Sequence, residues 1–451
     1  MRRGAIASSS LAASVWLASW RRAVSIFVPI AVVWLWWFTY MAQQNAWHLF
    51  TDVNAEEAAA AAAAAVVHNT STANATAFSP RVARTGAAGG FPFFALSITM
   101  VFGSFIAGAT SEGGAAVAFP VMTLILGIQP LIARDFGLMI QSVGMVAASF
   151  TIVILRVTIS YRAVAFVSLG GMLGSALAIE VLFARISPPY LKLWFCCIWM
   201  SFAISLWLLN RHVSRPTFDG LPGYTNTDDS TSGGSGSARG SGNGNGIDDA
   251  PRMTTAVLLL AGVIGGCLSG LTGSGIDMAS FSVLTLLFRV SEKVATPTSV
   301  VIMGISSVFG FFFRGVVSSE GLSDAAWSYW LVCVPIVVVG APFGAFVGRT
   351  LHRLTLARAV YAADTLQLAG ALFVIRPWLP RVDGGKVDDP TALCVSSLSI
   401  LVVFGLLFRY MSMRGLESLK QRVRIEHPTS PAQADVQEYR ADEDLELIVI
   451  L

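Results

Sequence analysis

The sequence predicts an all-α, polytopic membrane protein of about 10–12 membrane segments, arranged as two inverted-topology helical repeats. Three observations predict it. Of the 451 residues, 54% are hydrophobic and only 13% are charged. An ordinary soluble domain carries about 25% charged residues, so this chain has too little charge to cover a soluble surface. Apolar runs of spanning length follow one another from residue 23 to residue 408. Finally, the stretch 103–146 recurs without gaps at a constant offset of 162 residues. Gly103 falls on Gly265, Gly108 on Gly270, Thr110 on Thr272, Phe119 on Phe281, Thr123 on Thr285 and Ala133 on Ala295. A polar break falls in register in both copies, at Thr110-Ser111-Glu112-Gly113-Gly114 and at Thr272-Gly273-Ser274-Gly275.

Residues 1–41 read as a cytoplasmic N-terminus and a first transmembrane helix. Arg2, Arg3, Arg21 and Arg22 precede an apolar run over 23–41, about 19 residues and enough to span. Trp34, Trp36 and Trp37 cluster toward its far end, where interfacial aromatics belong. A cleaved secretory signal is the alternative, though the run is long and aromatic for one. Residues 42–90 form a polar lumenal or extracellular loop with sequons at Asn69 and Asn74, glycosylated if a eukaryotic secretory route is used.

The first repeat occupies 91–209, with apolar segments near 93–110, 114–128, 136–155, 163–184 and 190–209. The second is short for a span and reads as a crossing or as one arm of a re-entrant hairpin. Residues 210–252 are rich in Gly, Ser, Asn and Asp, the composition of a flexible linker. Arg211, Arg215 and Arg252 at its edges put it on the cytoplasmic side.

The second repeat occupies 253–412, with segments near 254–273, 277–288, 295–313, 326–348, 356–375 and 392–408. Residues 413–451 read as a cytoplasmic tail. Loops 129–135 and 314–325 are expected outside, Arg134 beside Asp135 and Arg314 near Glu320 and Asp324. An odd number of passes in the first half turns the second copy over, hence the inverted topology. Gly170-Gly171-Met172-Leu173-Gly174 and Gly340-Ala341-Pro342-Phe343-Gly344 put small residues four apart, which lets helix backbones approach closely.

The repeated turn carries the chemistry. A backbone group without a partner costs several kcal/mol in hydrocarbon, so a helix breaks there only inside protein or against water. The broken ends offer N–H groups and a partial positive charge that suit an anion. Thr110, Ser111, Thr272 and Ser274 add hydroxyls, and Gly113, Gly114, Gly273 and Gly275 allow close approach to the backbone. Thr298 and Ser299 are candidates to complete the substrate site from the helix that follows, and Gln141 and Ser142 hold the corresponding place in the first half. Those residues serve equally as interhelical glue. Glu112 and Asp277, the nearest acids, are candidates for proton coupling; Asp277 is equally ordinary as a helix cap. The expected partners are a small anionic substrate and the lipid bilayer. A net charge of +3 gives no footprint for nucleic acid.

No nucleotide-binding loop, zinc helix or nucleophile elbow occurs, and the five histidines lie at segment edges or in loops. No enzymatic activity, cofactor or metal is therefore expected. The five cysteines all fall in apolar segments and read as small packing residues.

At these residues the chain resembles the sulfite exporter TauE/SafE family of membrane proteins. The family pattern is a Gly-rich turn, a proline, then G-x-x-P-x-x-A and a Thr/Ser pair, in each half. Gly113-Gly114, Pro120, Gly127-Ile128-Gln129-Pro130 and Ala133 fit the first copy, and Gly273-Ser274-Gly275, Ala295 and Thr298-Ser299 the second. Two places depart from it. Arg134-Asp135-Phe136 stands where a Thr/Ser pair is usual, and Arg289-Val290-Ser291-Glu292 replaces the second G-x-x-P. The resemblance covers roughly 93–410 and implies transport of sulfite, sulfonates or related sulfur-containing anions, by export or uptake. The reading is thus a secondary transporter of a small anion in the plasma membrane or an endomembrane. A non-transporting receptor or adaptor and an anion channel are the alternatives.

Overall fold

The computed structural model describes residues 30–43, 91–110, 112–210, 218, 221, 249–318, 321–348, 350–351, 353–379, 381–383 and 386–426. The sequons at Asn69 and Asn74, and Ser111 in the first turn, lie outside the described residues. The helices are α1 (Ile30–Gln43), α2 (Phe91–Ala109), α3 (Gly114–Ile125), α4 (Pro130–Ile154), α5 (Tyr161–Arg185) and α6 (Pro188–Asn210). There follow α7 (Asp249–Thr272), α8 (Ile276–Leu287), α9 (Glu292–Val317), α10 (Asp324–Gly348), α11 (Arg353–Ile375) and α12 (Pro390–Glu426). Between α11 and α12 a three-residue hairpin pairs Arg381–Asp383 with Lys386–Asp388. Among the described residues, nine helices are long and apolar enough to cross a membrane. This is an all-α, multi-pass integral membrane protein.

Helices α3 and α8 are shorter than the rest. Each opens after a glycine turn as seven residues of α-helix and closes in five residues of π-helix, Val121–Ile125 and Val283–Leu287. Twelve residues rise roughly 18 Å, little more than half of a bilayer's hydrocarbon core. Their first residues, Gly114 and Ile276, are 162 apart, as are the starts of their π-turns and the starts of α4 and α9. Thr123 donates to Phe119 O and Thr285 to Phe281 O, each at 2.7 Å. The same sequence has thus made the same local structure twice.

Packing between the halves is reciprocal. Helix α2 lies on α10 and α5 on α7; α4 meets α10, and α5 meets α9. Glycines set these distances. A Cβ on Gly174 would fall 2.1 Å from Val263 O of α7, and one on Gly344 would fall 2.1 Å from Phe105 O of α2. Backbone touches backbone at both seams.

Three sequence expectations need correction. The third segment of each half opens at Pro130 and Glu292, not near 136 and 295; in the first half Pro130 supplies a favourable first helical residue. Pro297 lies inside α9. The last helix does not stop near 408 but continues to Glu426, beyond the expected start of the tail at 413. Asp389 caps its start, accepting from Thr391 N at 3.0 Å and Thr391 Oγ1 at 2.6 Å. These bonds hold the exposed Asp389 carboxyl below its ordinary pKa.

The terminal helices α1 and α12 are fastened to the repeats. Pro335 inside α10 has no N–H to give the carbonyl of Leu331, four residues back. The buried Trp37 indole of α1 supplies it, Nε1 to Leu331 O at 2.7 Å. On the other side, α12 approaches so closely that a Cβ on Gly415 would fall 1.9 Å from Leu286 O. Trp37→Phe keeps the ring but leaves that carbonyl without its donor. It should lower stability by about 1–3 kcal/mol, read as a lower unfolding temperature of the purified protein in detergent.

Candidate functional site

The two glycine turns meet. Gly113, in the turn between α2 and α3, faces the turn between α7 and α8. A Cβ there would fall 2.5 Å from Gln141 Nε2, 2.7 Å from Asp277 Oδ2 and 2.9 Å from Ser274 Oγ. Only a residue without a side chain fits. Gly114 does not face this junction; it packs toward Met100 and Ala107 of α2. Gly275 has φ +146°, and Gly273 has φ +86° with its Cα against Gly137 of α4.

One buried carboxylate sits at the junction. Asp277 is fully buried in the first turn of α8. It accepts from Gly275 N at 3.1 Å, and its Oδ2 lies against Gly113. Gly113 belongs to the other half of the molecule, so a single carboxylate lies between the two turns. Ser274 Oγ lies 3.5 Å from both of its oxygens. Ser269 Oγ accepts from Ile276 N at 3.0 Å and satisfies another helix-start donor.

The threonines stitch the turns. Thr110 Oγ1 donates to Ile106 O at 2.8 Å and accepts from Glu112 N at 3.1 Å. Thr272 Oγ1 lies 3.0 Å from both Leu268 O and Ser274 O. Thr298 and Ser299 bond elsewhere: Thr298 Oγ1 accepts from Ser160 N and donates to Val294 O, and Ser299 donates to Thr296 O. Gln141 comes to the junction instead, its Oε1 accepting from Ser307 of α9 at 3.4 Å and its amide nitrogen buried without a partner.

Glu112 is 1% exposed, and neither of its carboxyl oxygens has a donor among the described residues. It faces Asp364 of α11, which is 0% exposed and equally without a donor. The two carboxyl groups are within hydrogen-bonding reach of each other. Sequence reasoning passed over Asp364. The signal was a lone acid in the middle of the apolar run 356–375.

Charges expected in outer loops prove to be buried. Asp135 accepts from Arg134 Nε and Nη2 at 3.0 and 2.8 Å and from Arg314 Nε at 3.1 and 3.2 Å. All three residues are at most 2% exposed. The Arg134 guanidinium also stacks 4.1 Å over the Phe183 ring. The early start of α4 makes this possible, carrying Arg134 and Asp135 into the bundle, while the π-turn ending α9 aims Arg314 inward. Arg289 takes the place of Gly127 in the repeat and keeps its left-handed backbone, φ +54° against +68°. Its side chain donates to Ser412 O of α12 at 2.8 Å. Among the described residues no cluster of three or more His, Cys, Asp or Glu could hold a metal ion.

A family profile described as Sulfite exporter TauE/SafE matches residues 95–370. The chain belongs to the sulfite exporter TauE/SafE family. It is accordingly a membrane transporter and not an enzyme. Both turns and the carboxyl pair fall inside the matched region, whereas α1 and all of α12 fall outside it. Searches of curated proteins and of solved structures found no match.

Two buried guanidinium groups share the Asp135 carboxylate. Asp135→Asn should cost about 3–5 kcal/mol, the usual result of removing one partner from a buried ion pair. The readout is loss of monodisperse protein on size exclusion.

Proposed function

We propose that this TauE/SafE protein is a secondary transporter of a small anion, sulfite or an organosulfonate, held where the two turns meet. In this reading the halves are inverted repeats, and the reciprocal packing of α2 on α10 and α5 on α7 supports that relation. The observation that carries the proposal is the convergence of the two turns, one from each repeat, on a single buried carboxylate: Gly275 N–H donates to Asp277, and Gly113 lies against the other carboxyl oxygen. A junction that binds the anionic end of Asp277 has the donors to bind another oxyanion of similar size. Asp277 is then an internal stand-in, and substrate competes with it for the same donors. Thr110, Thr272, Ser274, Gly273 and Gly275 shape the site, and Gln141 adds an amide donor. Asp277 is already engaged by the Gly275 N–H, which leaves Glu112 as the better coupling residue.

Labelled sulfite and taurine flux into liposomes, with and without a proton gradient, tests this. Saturable flux should appear in the wild type and disappear in Gly113→Leu and Gly275→Leu, in protein that still elutes as a folded species. Flux that persists in both variants would remove the junction from the transport path. Asp277→Asn has a separate expected outcome. It keeps the shape of the stand-in and removes its charge, so the apparent KM for the anion should fall; a KM unchanged or raised would count against competition.

A further inference from the structure

We propose that Glu112 and Asp364 form one proton-binding site that links the first turn to helix α11, an inference that rests on the transport reading above. The argument is geometric. An ionised carboxylate only accepts hydrogen bonds, whereas a protonated one can donate. Here two carboxyl groups face each other, both almost fully buried, with no donor from any other described residue. One proton shared between them satisfies both. Without it, two negative charges would lie side by side in a dry interior, where their repulsion is poorly screened.

The groups around the pair sharpen this. Asp277 of α8 faces Glu112 and adds negative charge. Cys196 of α6 lies near Asp364 and supplies a thiol. From α4, the neutral Gln141 reaches the adjacent Gly113. No arginine, lysine or histidine among the described residues bonds to either carboxyl group. Nothing nearby replaces the proton as counter-charge.

Position gives the proton a mechanical consequence. Glu112 sits in the turn that leads into α3, and α11 packs on both α3 and α6. Protonated, the pair pulls α11 onto the turn. Deprotonated, it pushes α11 away and opens the turn to water. The pair also occurs once. At the 162-residue offset Glu112 corresponds to Ser274 and Asp364 to Phe202, so the other repeat has no equivalent. A single site for a single proton per cycle follows, placed on one side of an otherwise duplicated core.

Infrared spectroscopy of the purified full chain decides the matter directly. The wild type at neutral pH should show a protonated carboxyl C=O stretch that Glu112→Gln and Asp364→Asn each abolish or shift. Absence of that band from the wild type, or a band unchanged in either variant, would overturn the proposal. In liposomes loaded with labelled sulfite, both variants should lose proton-driven accumulation yet keep sulfite–sulfite exchange, which needs no net proton movement. Accumulation that survives in either variant, or exchange lost from folded protein, would overturn the coupling role. If the wild type carries no sulfite, the substrate reading fails, while the infrared result still decides the carboxyl pair.

Discussion

A broken helix in hydrocarbon has to place its unpaired backbone groups somewhere, and this constraint shapes the centre of the molecule. Water is not at hand to take them, so each N–H at the start of α3 and α8 needs a partner from the chain. Asp277 takes Gly275 N–H, Ser269 takes Ile276 N–H and Thr110 takes Glu112 N–H. A carboxylate is costly to bury. The Gly275 N–H, the Ser274 hydroxyl and the positive end of a helix dipole offset that cost. In the proposed transport reading, the arrangement that stabilises the turns also receives the oxyanion, so structure and transport chemistry draw on one set of hydrogen bonds.

The rest of the bundle holds that junction in place. Without a strong hydrophobic drive between helices in lipid, close backbone packing carries much of the association. Gly174 against α7 and Gly344 against α2 provide it at the two reciprocal seams. The prolines that interrupt α10 would each leave a carbonyl unpaired, and for Pro335 an element outside the family core, α1, fills the gap through Trp37. Arg289 does similar work at the other end, accepting a left-handed backbone where the first repeat has glycine and tying α8 to α12. The flanking helices are integrated with the transport core.

Two clusters of buried charge among the described residues have opposite character. Arg134, Asp135 and Arg314 bring two cations and one anion together, with Ser318 Oγ accepting a further bond from Arg314 at 2.8 Å. Glu112, Asp364 and Asp277 are all acids, and the first two have only each other. A cluster of opposite charges resists change, whereas one of like charges responds to a proton in the reading proposed above.

Much of the architecture was legible in the sequence. Span length and low charge fixed the membrane class, and the 162-residue repeat of Gly and Thr located both turns. These are local signals, carried by hydropathy and by backbone conformation within a few residues. The resemblance in the turn motifs pointed to the family that the profile match established. What the sequence could not determine is which side chains meet. Asp277 lies against Gly113 of the other repeat, Gln141 reaches the same place from α4, and Thr298 turns to Ser160 instead. Asp364 opposes Glu112 only because α11 folds back onto α3, and Arg314 reaches Asp135 only because α9 ends in a π-turn beside α4. Those pairings depend on the rotation and depth of whole helices against one another. That is set by the fit of many small residues across the bundle, and only the tertiary structure decides it.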